Sequence, residues 1–393
     1  MNIVFKPTNP KDRNSQIDIL RGFALLGILL VNVFGYNSSF FDFSGFYAAF
    51  SDQLNHTVFE LVIGFGADKF IFIFSFLFGV GFSIMYLKYR TDENGFSSLY
   101  LRRLLVLMMS GVLHIVFFWA GDILFSYSLL GMILLLLRKM RSDLLLFLSV
   151  FLYFFPIIYI AFESIFPFLP SALSSVTEIT LPEVIDIYSS ASYFDILKLR
   201  IHEYIAFRNI NLIYYAPKIL SLFILGYLFY KKRYFEIINS SKRKYTVISI
   251  ILLSIGILLT LTTENIVNSI ANPDTNQFYT AIYMGIFEVT NIFLGFSYII
   301  LILILSQVQV FKTILDPFKY VGRTALTNYL IQSIVFTTIM YSYGLGMFGS
   351  LQPWQLLISA VVMFVIQLYY SKRWLQNFSF GPLEWIWRKL TYL

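Results

Sequence analysis

Ten apolar stretches, each near twenty residues long, alternate along this chain with polar links, and every second link is rich in Lys and Arg. Crossing about 30 Å of hydrocarbon takes about 20 residues of α-helix at about 1.5 Å per residue. The stretches lie at 17–36, 67–87, 102–120, 122–138, 143–166, 212–230, 245–263, 281–306, 324–343 and 353–371. A backbone in lipid must satisfy its own polar groups. The expected fold is therefore all-α and polytopic, with about ten transmembrane helices. Only Ala120-Gly121-Asp122 separates the third stretch from the fourth, which predicts a helical hairpin.

Basic residues orient such a chain. Of the 29 Lys and Arg, 23 precede the first stretch, follow the tenth, or fall in or directly border the links after stretches two, four, six and eight, with Arg102, Arg103 and Arg138 at the adjoining stretch ends. The links at 37–66, 264–280 and 344–352 carry none. Loops rich in Lys and Arg stay cytoplasmic. Both termini are thus expected in the cytoplasm, with 1–16 and 372–393 as cytoplasmic tails of one membrane domain spanning 1–393. The longest link, 167–211, becomes an extracytoplasmic loop, with a surface helix expected over Asp195 to Arg208. The first apolar run lacks a small-residue cleavage site and reads as a retained span.

Composition closes off other classes. Hydrophobic residues make up 58% of the chain and charged residues 13%, against about 45–50% and about 25% in ordinary soluble domains. The net charge of +7 is explained by orientation, so no nucleic-acid partner is expected. There is no Cys, which removes disulfides and thiolate chemistry, and with three His a metal site is not expected. No GxGxxG, P-loop, HExxH or GxSxG pattern stands in a fitting context.

An ionisable group at membrane depth is costly and is a functional candidate by default. Asp18 and Arg21 share one face at the start of the first stretch, where Ser15 to Asp18 also fits a capping box. Asn32 lies near the other end of that stretch. Asp68 and Lys69 open the second, and His114 lies deep in the third. Asp122 sits in the hairpin turn, Glu288 and Asn291 share a face in the eighth stretch, and Arg323, Asn328 and Gln332 border or enter the ninth. Before the second stretch, Asp52, His56 and Glu60 recur every four residues, which stacks them on one helix face. A carboxylate beside an imidazole makes a general base; the same spacing also fits a solvated face of an interfacial helix.

These segments carry a resemblance. The runs IDILRGFALLGILLVN (17–32), DKFIFIFSFLFGVGF (68–82), LHIVFFWAGDILFSYSLLG (113–131), VGRTALTNYLIQS (321–333) and SKRWLQNFSFGPLEWIWRKLTY (371–392) resemble blocks of the YeiB family of bacterial membrane proteins, domain-of-unknown-function family 418. More distantly, Asp18, Arg21, Gly22, Asn32, Asp68 and Gly79 are similar to the opening of the lysosomal heparan-alpha-glucosaminide N-acetyltransferase. That likeness implies transfer of an acyl group from cytoplasmic acyl-CoA to an acceptor across a bacterial plasma membrane. In the lysosomal enzyme the key His precedes the second-span Asp by about ten residues; here His56 precedes Asp68 by twelve, out of register.

On this resemblance the expected function is a transmembrane acyltransferase using acetyl-CoA or another acyl-CoA. His56 or His114 would be the base, oriented by Asp68, Asp52 or Glu60. Asn32 or Asn328 would donate to the carbonyl oxygen, with Asp122 and Gln332 in support. Asp18, Arg21, Lys69 and Arg323 would hold the donor. The partners are lipid, acyl-CoA, an unidentified external hydroxyl or amine, and in one arrangement a second copy of the chain. The alternative is a transporter or lipid-handling protein without covalent chemistry, with His114, Glu288 and Asn291 along its path.

Overall fold

The computed structural model describes residues 13–39, 43–166, 169, 179–270 and 277–392. The part of the long 167–211 link at 167–168 and 170–178 lies outside the described residues. Helices follow one another as α1 (Ser15–Asn37), α2 (Gln53–Gly66), α3 (Lys69–Tyr89), α4 (Glu93–Phe117), α5 (Leu124–Leu137) and α6 (Ser142–Ile165). The outer pair α7 (Leu181–Ser190) and α8 (Tyr193–Ala206) comes next. Then come α9 (Ala216–Lys231), α10 (Lys242–Ile270), α11 (Gln277–Leu305), α12 (Phe318–Arg323), α13 (Ala325–Met340), α14 (Pro353–Asn377) and α15 (Pro382–Thr391).

Among the described residues no β-strand occurs. Among the described residues eight helical segments are long and apolar enough to cross a membrane, and the shorter apolar α5 and α13 stand where the fourth and ninth stretches were expected. The protein is an all-α polytopic membrane protein. Gln53–Tyr89 forms one long apolar segment interrupted at Asp68, whose φ of 63° places it in the left-handed region and turns the chain from α2 into α3. The hairpin expected at Ala120 joins α4 to α5, and the surface helix expected at Asp195–Arg208 is α8.

Burial separates the centre from the lipid face. In α1, 67% of the apolar span is buried, against 17% in α10. Lipid-facing positions keep large apolar side chains exposed, such as Leu136 and Phe147, which in water would be unfavourable. Arg13 ahead of α1 and Arg388 on α15 line one cavity, so the two ends of the described chain lie on the same face, here called the basic face.

Two local features position the site. The start of α1 is capped by Asn14, whose Oδ1 accepts the Gln16 amide at 2.9 Å, and not by the Ser15 box. Asp18 is thereby left to pair with arginine. Next to it, α1 and α12 come close enough that a Cβ on Gly322 would stand 1.8 Å from the Asp18 carbonyl oxygen, and one on Gly22 2.2 Å from that of Phe318. Only glycine permits this approach, which brings Arg21 and Arg323 to one opening. Gly322→Ala is expected to separate the helices at a cost of about 1–3 kcal/mol. Thermal unfolding in detergent reads this as a lower midpoint; an unchanged midpoint would show that the two helices part freely.

Candidate functional site

Four buried side chains from four segments form one hydrogen-bonded chain. Gly111 lets α4 close on α5, since a Cβ there would meet the Phe125 backbone nitrogen at 2.4 Å. One turn further, His114 meets the hairpin: its Nδ1 lies 2.9 Å from Asp122 Oδ1. Its Nε2 lies 2.8 Å from Ser333 Oγ on α13, and Ser333 Oγ lies 2.8 Å from the Tyr36 hydroxyl at the end of α1. Asp122 also accepts the Phe125 amide at 2.7 Å.

The polarity of this chain follows from chemistry. An ionised carboxylate only accepts, so in the neutral imidazole Nδ1–H donates to Asp122 and Nε2 is the acceptor. Ser333 then donates to Nε2, and its oxygen accepts the Tyr36 proton. His114 and Tyr36 are fully buried, and the Tyr329 ring lies tilted against the imidazole with centroids 5.2 Å apart.

On the basic face a cavity opens, with about 1110 Å³ of empty space, part of it open solvent. Arg13, Arg21, Arg103, Arg323 and Arg388 line the mouth; Leu107, Ile123, Tyr127 and Tyr329 line the inner end. Ile123 adjoins Asp122, and Tyr329 separates the cavity from His114. Along α4, His114 lies eleven residues beyond Arg103, about 16 Å.

The mouth has excess positive charge. Asp18 is shared by Arg13 at 2.7 Å and Arg21 at 3.3 Å. Glu384 accepts the Thr327 amide and hydroxyl at 3.0 and 2.6 Å, which caps the start of α13. Among the described residues no carboxylate lies within 4 Å of Arg103, Arg323 or Arg388. Arg103 stacks on Trp387 at 3.8 Å and Arg388 on Phe380 at 4.3 Å. Arg323 Nε is buried with no hydrogen-bond partner. Burial pushes the Arg323 guanidinium below its usual range, and burial followed by repulsion from Arg103 and Arg13 pushes Arg388 down to about 10. Planar donors with this much uncompensated charge suit a polyphosphate.

Other expected residues stand elsewhere. His56, Asp52 and Glu60 share one exposed face of α2, as their spacing requires, and Asp52 is engaged in capping: it accepts from the Asn55 amide and side chain at 3.1 and 2.6 Å. Asp68 orients neither histidine. It accepts from Lys218 Nζ at 2.6 Å, and Glu288 takes the same ammonium at 2.7 Å. Tyr153 donates to Glu288 at 2.9 Å, Asn291 at 3.1 Å, and Tyr214 through a short bond. Lys69 is buried against the Phe287 ring at 4.3 Å. It begins α3, twelve residues before Gly81 at the arginine cavity, so it does not belong to the donor site.

Asn328 and Gln332 join helices rather than face the cavity. Asn328 Nδ2 bonds Thr324 Oγ1 at 2.7 Å and Ser371 at 2.9 Å, and Gln332 bonds Gln367 on α14 at 2.8 Å. Their donors are spent on Thr324 at the start of the same helix and on Ser371 and Gln367 of α14, as is common where lipid supplies no alternative partner. Asn32 is half-buried one turn before Tyr36. Among the described residues no three His, Cys, Asp or Glu gather closely enough to hold a metal.

Tyr36, Ser333, Arg13, Arg103, Arg388 and Lys218 escape the sequence reading. Lys218 alone carries a signal, as a lysine inside the sixth apolar stretch.

Residues 229–393 match a family described as protein of unknown function (DUF418). The chain is 33% identical over 411 residues to uncharacterized protein YxaH of Bacillus subtilis (strain 168), covering 99% of this chain and 96% of that protein. It is 30% identical to an uncharacterized 39.9 kDa protein in the amylase 3′ region of Bacillus acidopullulyticus, covering 97% of this chain and 94% of that one. To uncharacterized protein YeiB of Escherichia coli (strain K12) it is 27% identical, with 97% and 96% covered.

Proposed function

The chain belongs to the YeiB/DUF418 family over nearly its whole length, and on the geometry of its site we propose that it is a transmembrane acyltransferase. It takes an acyl group, acetyl in the simplest case, from acyl-CoA on the basic face and delivers it to a hydroxyl or amine on the opposite face. The positive-inside rule makes the basic face cytoplasmic. The setting is a bacterial plasma membrane.

One observation carries this reading: a cavity with an arginine mouth runs toward a buried His–Asp pair about 16 Å away along α4. A compact phosphate donor would stop at the mouth. A donor with its phosphates on one end of a long flexible arm and a thioester on the other spans the distance. Arg103, Arg323 and Arg388 hold the phosphates, with Arg13 and Arg21 beside them. The arm passes Gly81 and Leu107, and the thioester lies against Tyr127 and Tyr329. His114, held in one tautomer by Asp122, is the base. Asn32, whose side chain meets the Tyr36 hydroxyl, is the amide that would donate to the carbonyl oxygen.

The transporter alternative draws on His114, Glu288 and Asn291. Glu288 shares the Lys218 ammonium with Asp68, which ties α3, α9 and α11 together and supports a structural role.

Thermal unfolding in detergent tests the reading. A ligand at a hundred times its dissociation constant stabilises the fold by about 2.7 kcal/mol. Acetyl-CoA should raise the midpoint more than ATP does. Arg388→Gln, which removes a charged hydrogen bond of about 1.5–3 kcal/mol, should weaken acetyl-CoA binding by at least about tenfold. Equal shifts with ATP would mean that the mouth reads phosphate alone, and no shift with any acyl-CoA would refute the donor.

A further inference from the structure

Ser333 breaks the habit of its own helix. Hydroxyls in apolar helices usually bond back to the carbonyl one turn earlier. Thr337 does so to Ser333 O and Thr338 to Ile334 O, both at 2.7 Å. Ser333 lies 3.4 Å from its own such carbonyl, that of Tyr329, and meets His114 Nε2 and the Tyr36 hydroxyl at 2.8 Å each. The only tautomer that satisfies Asp122 makes Nε2 the acceptor of the Ser333 proton. A serine whose proton points at an imidazole nitrogen, with a carboxylate fixing the other nitrogen, is an activated nucleophile.

Its place in the fold suits a two-sided reaction. Ser333 stands eight residues into the sixteen-residue α13, about 12 Å from its basic-face end. Tyr329, one turn before it on α13, is a wall of the arginine cavity. The outer pair covers the far side of this region: Tyr188 on α7 stacks on Tyr341 at 4.4 Å, and Arg200 on α8 donates to Val116 O at 2.6 Å, two residues after His114. The hydroxyl therefore lies between the donor cavity and a layer on the acceptor side.

The geometry points to Ser333 as a covalent acyl carrier, so that the transfer runs in two steps. This rests on the acyl-CoA reading above. In the first step, with Tyr329 turned aside, Ser333 Oγ attacks the thioester carbonyl and His114 Nε2 takes its proton. The carbon–sulfur bond breaks, and the CoA sulfur leaves with the proton from Nε2. In the second, an acceptor hydroxyl or amine arriving from the outer side attacks the acyl-serine ester and gives its proton to Nε2. The ester bond breaks and Ser333 Oγ recovers that proton. No oxidant or metal is needed, and donor and acceptor never have to occupy the site together.

The test needs no acceptor. Full-length protein in lipid nanodiscs is mixed with radiolabelled acetyl-CoA alone and quenched in acid, which hydrolyses acyl-imidazole and spares a serine ester. Protein-bound label on the peptide containing Ser333 is the expected result. Ser333→Ala should lose the label while keeping the thermal shift with acetyl-CoA, and Ser333→Cys should regain an adduct, now a thioester. His114→Gln should slow labelling at least about a hundredfold. Wild-type protein that shows the thermal shift but never carries label, with Ser333→Ala releasing CoA in native membranes at the wild-type rate, would overturn the acyl-serine and leave direct transfer standing. Wild-type protein with no thermal shift would instead bring down the acyl-CoA reading and the carrier with it.

Discussion

His114→Ala should abolish acyl transfer while leaving the protein folded and able to bind acetyl-CoA. The side chain is fully buried and both ring nitrogens are engaged, one by Asp122 and one by Ser333. A positioned base contributes about 10²–10⁴-fold, so CoA release in native membranes should fall by at least about a hundredfold. Folding should survive, because each partner keeps a second bond: Asp122 to the Phe125 amide and Ser333 to Tyr36. Binding should survive because the arginines lie about 16 Å away along α4. His56→Ala is the control. That ring is exposed on α2, and the account predicts wild-type turnover. Loss of activity in His56→Ala, with His114→Ala unaffected, would move the chemistry to the outer surface.

Lys218→Met should be the most destabilising single change in the membrane core. One ammonium serves Asp68 and Glu288, and all three groups are buried. Lys69 lies nearby against Phe287, so the cluster holds two cations and two carboxylates. Removing Lys218 leaves a net negative charge with no solvent to screen it, and breaking such a pair costs about 3–5 kcal/mol. Thermal unfolding should show a fall in midpoint well beyond that of Gly322→Ala. Lys218→Met combined with Glu288→Gln should recover much of it, since one cation, Lys69, and one carboxylate, Asp68, then remain. A Lys218→Met midpoint equal to wild type would show that these carboxylates are not held ionised, and would strengthen the transporter alternative.

The crossing helices were legible because lipid leaves few options: an apolar run of about twenty residues can only be a helix. Even the short α5 and α13 keep that signal. The site was half legible. His114 and Asp122 stand out as ionisable groups eight residues apart across a hairpin. Ser333 and Tyr36 do not, since both types are common in apolar helices and their bond joins positions 297 residues apart. The arginine mouth was partly hidden by orientation, which already accounts for basic residues on that face. Only folding shows that Arg103, Arg323 and Arg388 converge with no carboxylate at ion-pair distance among the described residues. Asp52, His56 and Glu60 show the opposite failure: the spacing puts them on one face, and that face is exposed. A helical period fixes which side chains align, while neighbouring elements decide what they meet.

The central claim is that acyl-CoA enters from the basic, cytoplasmic face. Sealed membrane vesicles containing the chain can be prepared inverted or right side out and incubated with labelled acetyl-CoA. The account predicts saturable, chain-dependent binding to inverted vesicles only, reduced by Arg388→Gln and unchanged by His114→Ala. Binding from the opposite face, or none to inverted vesicles holding folded protein, would contradict it.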